Sequence, residues 1–147
     1  MYLIIILPII SGVFIAQTIK ILTRLLRKEK VTWKSYLAYS GMPSGHAAMV
    51  VSLSTIIGLR EGLDSAIFGL SFIFSFLVIR DAVGLRRYLG QHGRTLNILV
   101  KDLEDDKVLE SHYPQLLERV GHTPFQVVVG GLIGFSVSVI GYYLSIG

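Results

Sequence analysis

Two histidines stand at the mouths of long apolar runs: His46, closing Met-Pro-Ser-Gly-His at residues 42–46, and His122, in Gly-His-Thr-Pro at residues 121–124. An imidazole can act near neutral pH as a nucleophile or as a proton donor. Cations flank the ends of the same and neighbouring runs, at Lys20, Arg80, Arg86 and Arg87. Such side chains stabilise a doubly charged oxyanion such as phosphate. Ser44 adds a hydroxyl, and Gly45 would let an anion approach the free N–H groups and positive dipole end of a helix start. Each residue also has a duller use. A lone histidine at a membrane edge is more often an interfacial polar group, and Gly-Met-Pro-Ser-Gly reads equally as a turn and a helix start. What matters is whether the elements bring these groups together.

Composition fixes the solvent those elements live in. Of 147 residues, 52% are hydrophobic and 16% charged, with a mean hydropathy of +0.61, which is too apolar for an ordinary soluble domain. Four stretches, about 2–22, 44–60, 65–85 and 124–145, approach or reach the roughly 20 helical residues a bilayer needs. The expected fold is therefore all-α, a single integral-membrane domain over residues 1–147 with about four transmembrane helices. The first stretch lacks the basic lead and the small-residue cleavage site of a signal peptide. Asp64-Ser65 marks the start of the third helix. Thr123, Pro124 and Gln126 match a capping box with proline at the first helical position of the fourth. Gly130, Gly134 and Ser138 recur every four residues, a stripe suited to close helix contact within the bundle or with a second copy. After the third span, apolar residues at Leu96, Leu99, Val100 and Leu103 predict a cytoplasmic amphipathic segment.

Charge orients the bundle. Six of the 14 Lys and Arg lie at Lys20, Arg24, Arg27, Lys28, Lys30 and Lys34, and six at Arg86, Arg87, Arg94, Lys101, Lys107 and Arg119. With four crossings both clusters, in loops about 23–42 and 86–122, fall on one side, which the positive-inside rule makes cytoplasmic, with both termini on the other side. The net charge of +4 then reflects topology and attraction to lipid headgroups rather than nucleic-acid binding. The absence of cysteine excludes disulfides and thiolate metal sites. On this topology Lys20, Ser44 with His46, Arg80 with Asp81 and Arg86, and His122 all fall at one level. Ionisable groups in or beside spans are costly, so their coincidence favours a site over separate structural uses.

Met-Pro-Ser-Gly-His, Arg-Asp-Ala-Val-Gly-Leu-Arg-Arg at 80–87, Leu-Asn at 96–97 and Gly-His-Thr-Pro-Phe-Gln-Val at 121–127 resemble the divergent membrane branch of the type 2 phosphatidic acid phosphatases, the acid phosphatase and vanadium-dependent haloperoxidase related proteins, over roughly residues 10–140. The resemblance implies a lipid phosphate as substrate, His122 as nucleophile giving a phosphohistidine, His46 as the acid protonating the leaving alkoxide, and Lys20, Arg27, Ser44 and Gly45 holding phosphate oxygens. It implies neither metal nor other cofactor. The chain departs from the parent motifs in three places. Lys28 follows Arg27 where proline is expected, Gln115-Leu116 replace Ser-Arg, and Gln126 stands where a carboxylate orients the nucleophile. Glutamine can fix an imidazole but cannot neutralise its cation. Asp81 is the expected replacement carboxylate, and Arg80 or Arg86 the replacement cation.

The favoured function is a membrane phosphatase acting on a lipid phosphate monoester or polyprenyl diphosphate at the cytoplasmic face. The alternatives are a lipid-phosphate binding or assembly protein that has lost catalysis, and a metal-assisted hydrolase using Asp81, the histidines and Asp102 or Glu118. The glycine stripe also makes a homodimer an expectation. The acidic segment 101–110 is expected to be a solvated helix or loop.

Overall fold

The computed structural model describes residues 2–26, 28, 41–102, 115–118 and 120–146. Five helices cover most of them: α1 (Tyr2–Leu26), α2 (Gly45–Glu61), α3 (Ala66–Val83), α4 (Leu85–Asp102) and α5 (Pro124–Ile146). The described residues contain no strand, and the protein is a helical membrane bundle. Three stretches are long and apolar enough to cross a bilayer: Ile5–Leu26, the continuous run Ala66–Asp102, and Pro124–Ile146.

The second expected span differs from the others. α2 has 17 residues and buries Ala47, Ala48, Val50, Ser52, Ser54, Ile56 and Ile57. It is the hub of the bundle, packed against α1, α3 and α5. Its surface meets other helices rather than lipid, so alanine and serine stand where a lipid-facing helix would carry leucine, and hydropathy alone undervalues it. The outer helices show the converse pattern. Leu7, Phe14, Phe72, Ile73, Phe76, Leu132 and Ile140 are exposed, as side chains solvated by acyl chains should be.

Small and hydroxyl-bearing residues hold the interior together. A Cβ on Gly130 would run into the backbone of Ser44, and one on Gly134 into the Ala48 carbonyl. The expected stripe therefore serves α2 within the chain, and that face is not open to a second copy. At the same seam Ser52 and Ser138 hydroxyls lie 2.6 Å apart and Ser138 also donates to the Ser52 carbonyl at 3.0 Å. On the other side of α2, Ser54 and Ser75 hydroxyls meet at 2.7 Å, and Ser75 donates to the Val50 carbonyl at 2.8 Å. Interhelical bonds of this kind contribute about 0.6 kcal/mol each in a membrane. Their larger value here is geometric, since each saturates hydroxyls that would otherwise be buried without partners.

Caps set the helix ends. Ser65 starts α3, its hydroxyl accepting from Phe68 N at 3.3 Å. Between α3 and α4 the helix is interrupted at Gly84 alone, whose N–H donates to the Arg80 carbonyl at 2.8 Å. α4 then runs on as the amphipathic segment expected beyond the third span, although residues 103–110 of the acidic stretch lie outside the described residues.

Candidate functional site

The turn before α2 is built around Lys20. Gly41 has φ +130° and leaves no room for a Cβ, which would sit 2.8 Å from Lys20 Cε. Glycine is therefore favoured by its backbone conformation, and a Cβ here would displace the lysine that crosses it. Thr23 of α1 fastens this turn by donating to the Met42 carbonyl at 3.2 Å. Lys20 itself is only 3% exposed, buried at the point where α1 meets the start of α2. Its charge acts on both His46 and His122.

Ser44 caps α2. Its Oγ accepts from Ala47 N at 3.3 Å, its N–H donates to the Gln126 carbonyl at 3.0 Å, and the residue is fully buried. The hydroxyl assigned to phosphate from sequence is thus already engaged in capping α2, while the Ser44 backbone joins α2 to α5. Gly45 faces Gln17 of α1, whose Nε2 lies 3.4 Å from where a Cβ would stand. The Oε1 of the same glutamine is buried without a hydrogen-bond partner among the described residues.

His122 is delivered by a second device. Asn97 on α4 grips the backbone of Leu116 from both sides, accepting from its N–H at 3.0 Å and donating to its carbonyl at 2.9 Å, and also donates to Glu118 Oε1 at 3.0 Å. Gly90 and Gly93 lie on the same face, Gly90 pressed against the backbones of Glu118 and Val120 and Gly93 against that of Leu117. Gly121, at φ +91°, fits against Arg86, Arg87 and Ala82, and His122 N donates to the Ala82 carbonyl at 2.9 Å. The spacing Gly90, Gly93, Asn97 is one helical face, a signal that was visible in the sequence and carried no assignment. Its use is to hold the backbone at Leu116, Leu117, Glu118 and Val120 against a helix, close before the histidine.

The two devices bring the rings together. His46 and His122 have centroids 6.1 Å apart, tilted at 60°. His46 is half-buried and lies in the field of Arg86, Lys20 and Asp81. His122 is 4% exposed. Burial, more than any other cause, holds its pKa below the ordinary 6.5; the charges of Lys20 and His46 push the same way, while contacts with Gln126 and the Gly41 backbone oppose them.

The remaining expected residues separate. Arg86 lies with the histidines, its Nε donating to Asp81 Oδ2 at 2.6 Å. Arg80 is exposed and has no ion pair among the described residues, so of the two expected cations Arg86 is the one at the site. The group bonded to His122 Nδ1 is Gln126 Oε1, at 3.3 Å, where sequence had suggested Asp81; the aspartate instead neutralises Arg86. Arg27 lies outside the described residues. Among the described residues, no three His, Asp or Glu side chains gather to hold a metal ion, and Glu118 is taken up by Asn97.

Beside α2, between it and α3, runs an apolar groove of about 700 Å³, lined by Phe68, Phe72, Phe76 and Phe135 with Gly58 and Gly62. Its polar lining groups include Ser54 and Ser75, which already bond each other.

Comparison with known proteins agrees with this architecture. The family described as Divergent PAP2 matches residues 3–137. An uncharacterized membrane protein of Bacillus subtilis (strain 168), YuiD, is 32% identical over 140 residues, an alignment covering 89% of each chain. No solved structure matches.

Proposed function

Because this chain belongs to the Divergent PAP2 family, we propose that it is a membrane phosphatase that hydrolyses a lipid phosphate monoester or polyprenyl diphosphate. The observation that carries this reading is the pairing of His46 with His122 at 6.1 Å in the field of Lys20 and Arg86. Neutral His122 attacks phosphorus through a ring nitrogen; the N–P bond forms as the P–O bond to the lipid breaks, and protonated His46 gives its proton to the leaving oxygen. Water then attacks the phosphohistidine while His46 takes its proton, releasing phosphate and restoring both rings. Lys20 and Arg86, with Arg27 on the family pattern, offset the charge that develops on the phosphoryl oxygens. Gly45 lets those oxygens approach the α2 N-terminus. The lipid chain lies along the phenylalanine-lined groove, whose size falls within the range of ligand pockets. By the positive-inside rule the site faces the cytoplasm.

The test is phosphate release from vesicles carrying a panel of lipid phosphates and polyprenyl diphosphates, with and without chelator. The wild type should turn over at least one of them in either condition, and His46→Ala and His122→Ala should lose at least about 100-fold, the scale of acid–base contributions. A second reading is favoured by one observation, the burial of the Ser44 hydroxyl in a chain where Gln115-Leu116 replace the parent motif's Ser-Arg and Gln126 its carboxylate. It describes a lipid-phosphate binding protein without turnover. Binding to phosphate-bearing vesicles with no release on any substrate would establish that reading and remove the first. Activity abolished by chelator would replace both with metal-assisted hydrolysis.

A further inference from the structure

Gln126 Oε1 serves two neighbours. It accepts from the Thr123 N–H at 3.0 Å, one half of the α5 capping box whose other half is Gln126 N donating to Thr123 Oγ1 at 3.3 Å. It also lies 3.3 Å from His122 Nδ1. A backbone N–H can only donate, so the atom facing Thr123 must be the amide oxygen, and the usual ambiguity in placing a glutamine amide is removed. An oxygen that can only accept then requires a proton on Nδ1. We infer that Gln126 is a positioning residue that uses the α5 cap to hold His122 in its Nδ1–H tautomer, leaving Nε2 as the bare nitrogen. What Nε2 then attacks rests on the phosphatase reading; the tautomer does not.

This assigns the orienting role to a neutral group on the same helix start as the histidine. A carboxylate at that place would fix the ring and neutralise its cation; the amide fixes the ring and favours the cation only as an uncharged hydrogen-bond acceptor. The groups acting on His122 otherwise come from every neighbouring element: Lys20 on α1, His46 on α2, and the Gly41 backbone, with the Asp81 and Arg86 pair beyond His46. The cations disfavour a charged ring and the neutral amide opposes them only through its hydrogen bond, without the full negative charge of a carboxylate, so His122 stays neutral and nucleophilic to lower pH than a carboxylate-paired histidine.

The experiment uses the full chain in lipid nanodiscs with ¹⁵N-labelled histidine, the His122 resonances being assigned by their loss in His122→Gln. In the wild type at neutral pH, Nδ1 should resonate as a protonated nitrogen and Nε2 as a bare one. Thr123→Ala, which alters the cap but keeps the Oε1 contacts, should leave that pattern unchanged. Gln126→Leu should abolish the preference for Nδ1–H. Gln126→Glu should keep the tautomer and raise the His122 titration midpoint by about one pH unit or more, the size of shift an adjacent carboxylate produces. A wild-type ring protonated at Nε2 and donating to the Gly41 carbonyl would overturn the inference, as would a tautomer indifferent to Gln126→Leu. The stated NMR pattern with no phosphate released from any lipid would uphold the positioning role while removing the phosphatase reading.

Discussion

His122 carries the reaction proposed here, and its burial sets the pH at which it can act. The folded-state pKa lies below 6.5, chiefly through desolvation, and the nucleophile must be neutral. The acid limb of kcat/KM should therefore fall at a pH below 6.5, with activity lost as pH drops through the lowered value; a limb at or above 6.5 would contradict a buried nucleophile. The same shift has a consequence for folding. As pH falls from 6.5, the unfolded chain takes up a proton first, so stability from this residue is present above 6.5 and lost as pH falls through the folded-state pKa. At Arg86 the ion pair with Asp81 is partly exposed, the side chains being 33% and 37% accessible. Asp81→Asn should accordingly alter stability by no more than about 1 kcal/mol, while the freed guanidinium tightens the KM for an anionic substrate. A stability loss well beyond that figure would mean that the pair holds the α3–α4 junction.

At the scale of helices, the bundle depends on backbones that approach until no Cβ fits. Gly134→Ala would push a methyl into the Ala48 carbonyl and should cost about 1–3 kcal/mol in thermal or denaturant unfolding in detergent, as overpacked cores do. Gly69→Ala, on a helix face with nothing within 4 Å of the new carbon, should be neutral or slightly stabilising through helix propensity. Equal effects from the two would discount the stripe as the seam of the bundle. The α4 clamp acts through the segment it carries. Asn97→Ala removes two hydrogen bonds to the Leu116 backbone, at roughly 1 kcal/mol each. It should speed hydrogen exchange at the Leu116 amide and lower kcat without altering the His122 tautomer, because the Gln126 contact sits beyond the clamp.

For the whole molecule the open variable is sidedness, and the absence of cysteine makes it directly measurable. Single cysteines at the exposed positions His92, Leu117 and Asp64 should react with a membrane-impermeant thiol reagent from opposite faces, the first two from the cytoplasm and Asp64→Cys from outside. Labelling of all three from one side would remove the proposed four-crossing arrangement. Much of this architecture is already legible in the chain. Apolar runs demand lipid, Ser65 and Thr123 mark helix starts, and Gly130, Gly134 and Ser138 announce a tight seam, because hydrophobicity, capping and residue size act locally and leave a trace at fixed spacing. The level at which His46 and His122 meet follows from span order alone. Which helix the seam contacts, why a 17-residue segment forms the hub, whether Arg80 or Arg86 joins the histidines, and that Gln126 rather than Asp81 holds His122 are settled only in three dimensions. Each turns on the rotation of one helix about its axis against another, which is fixed by packing between residues far apart in sequence and leaves no periodic mark along the chain.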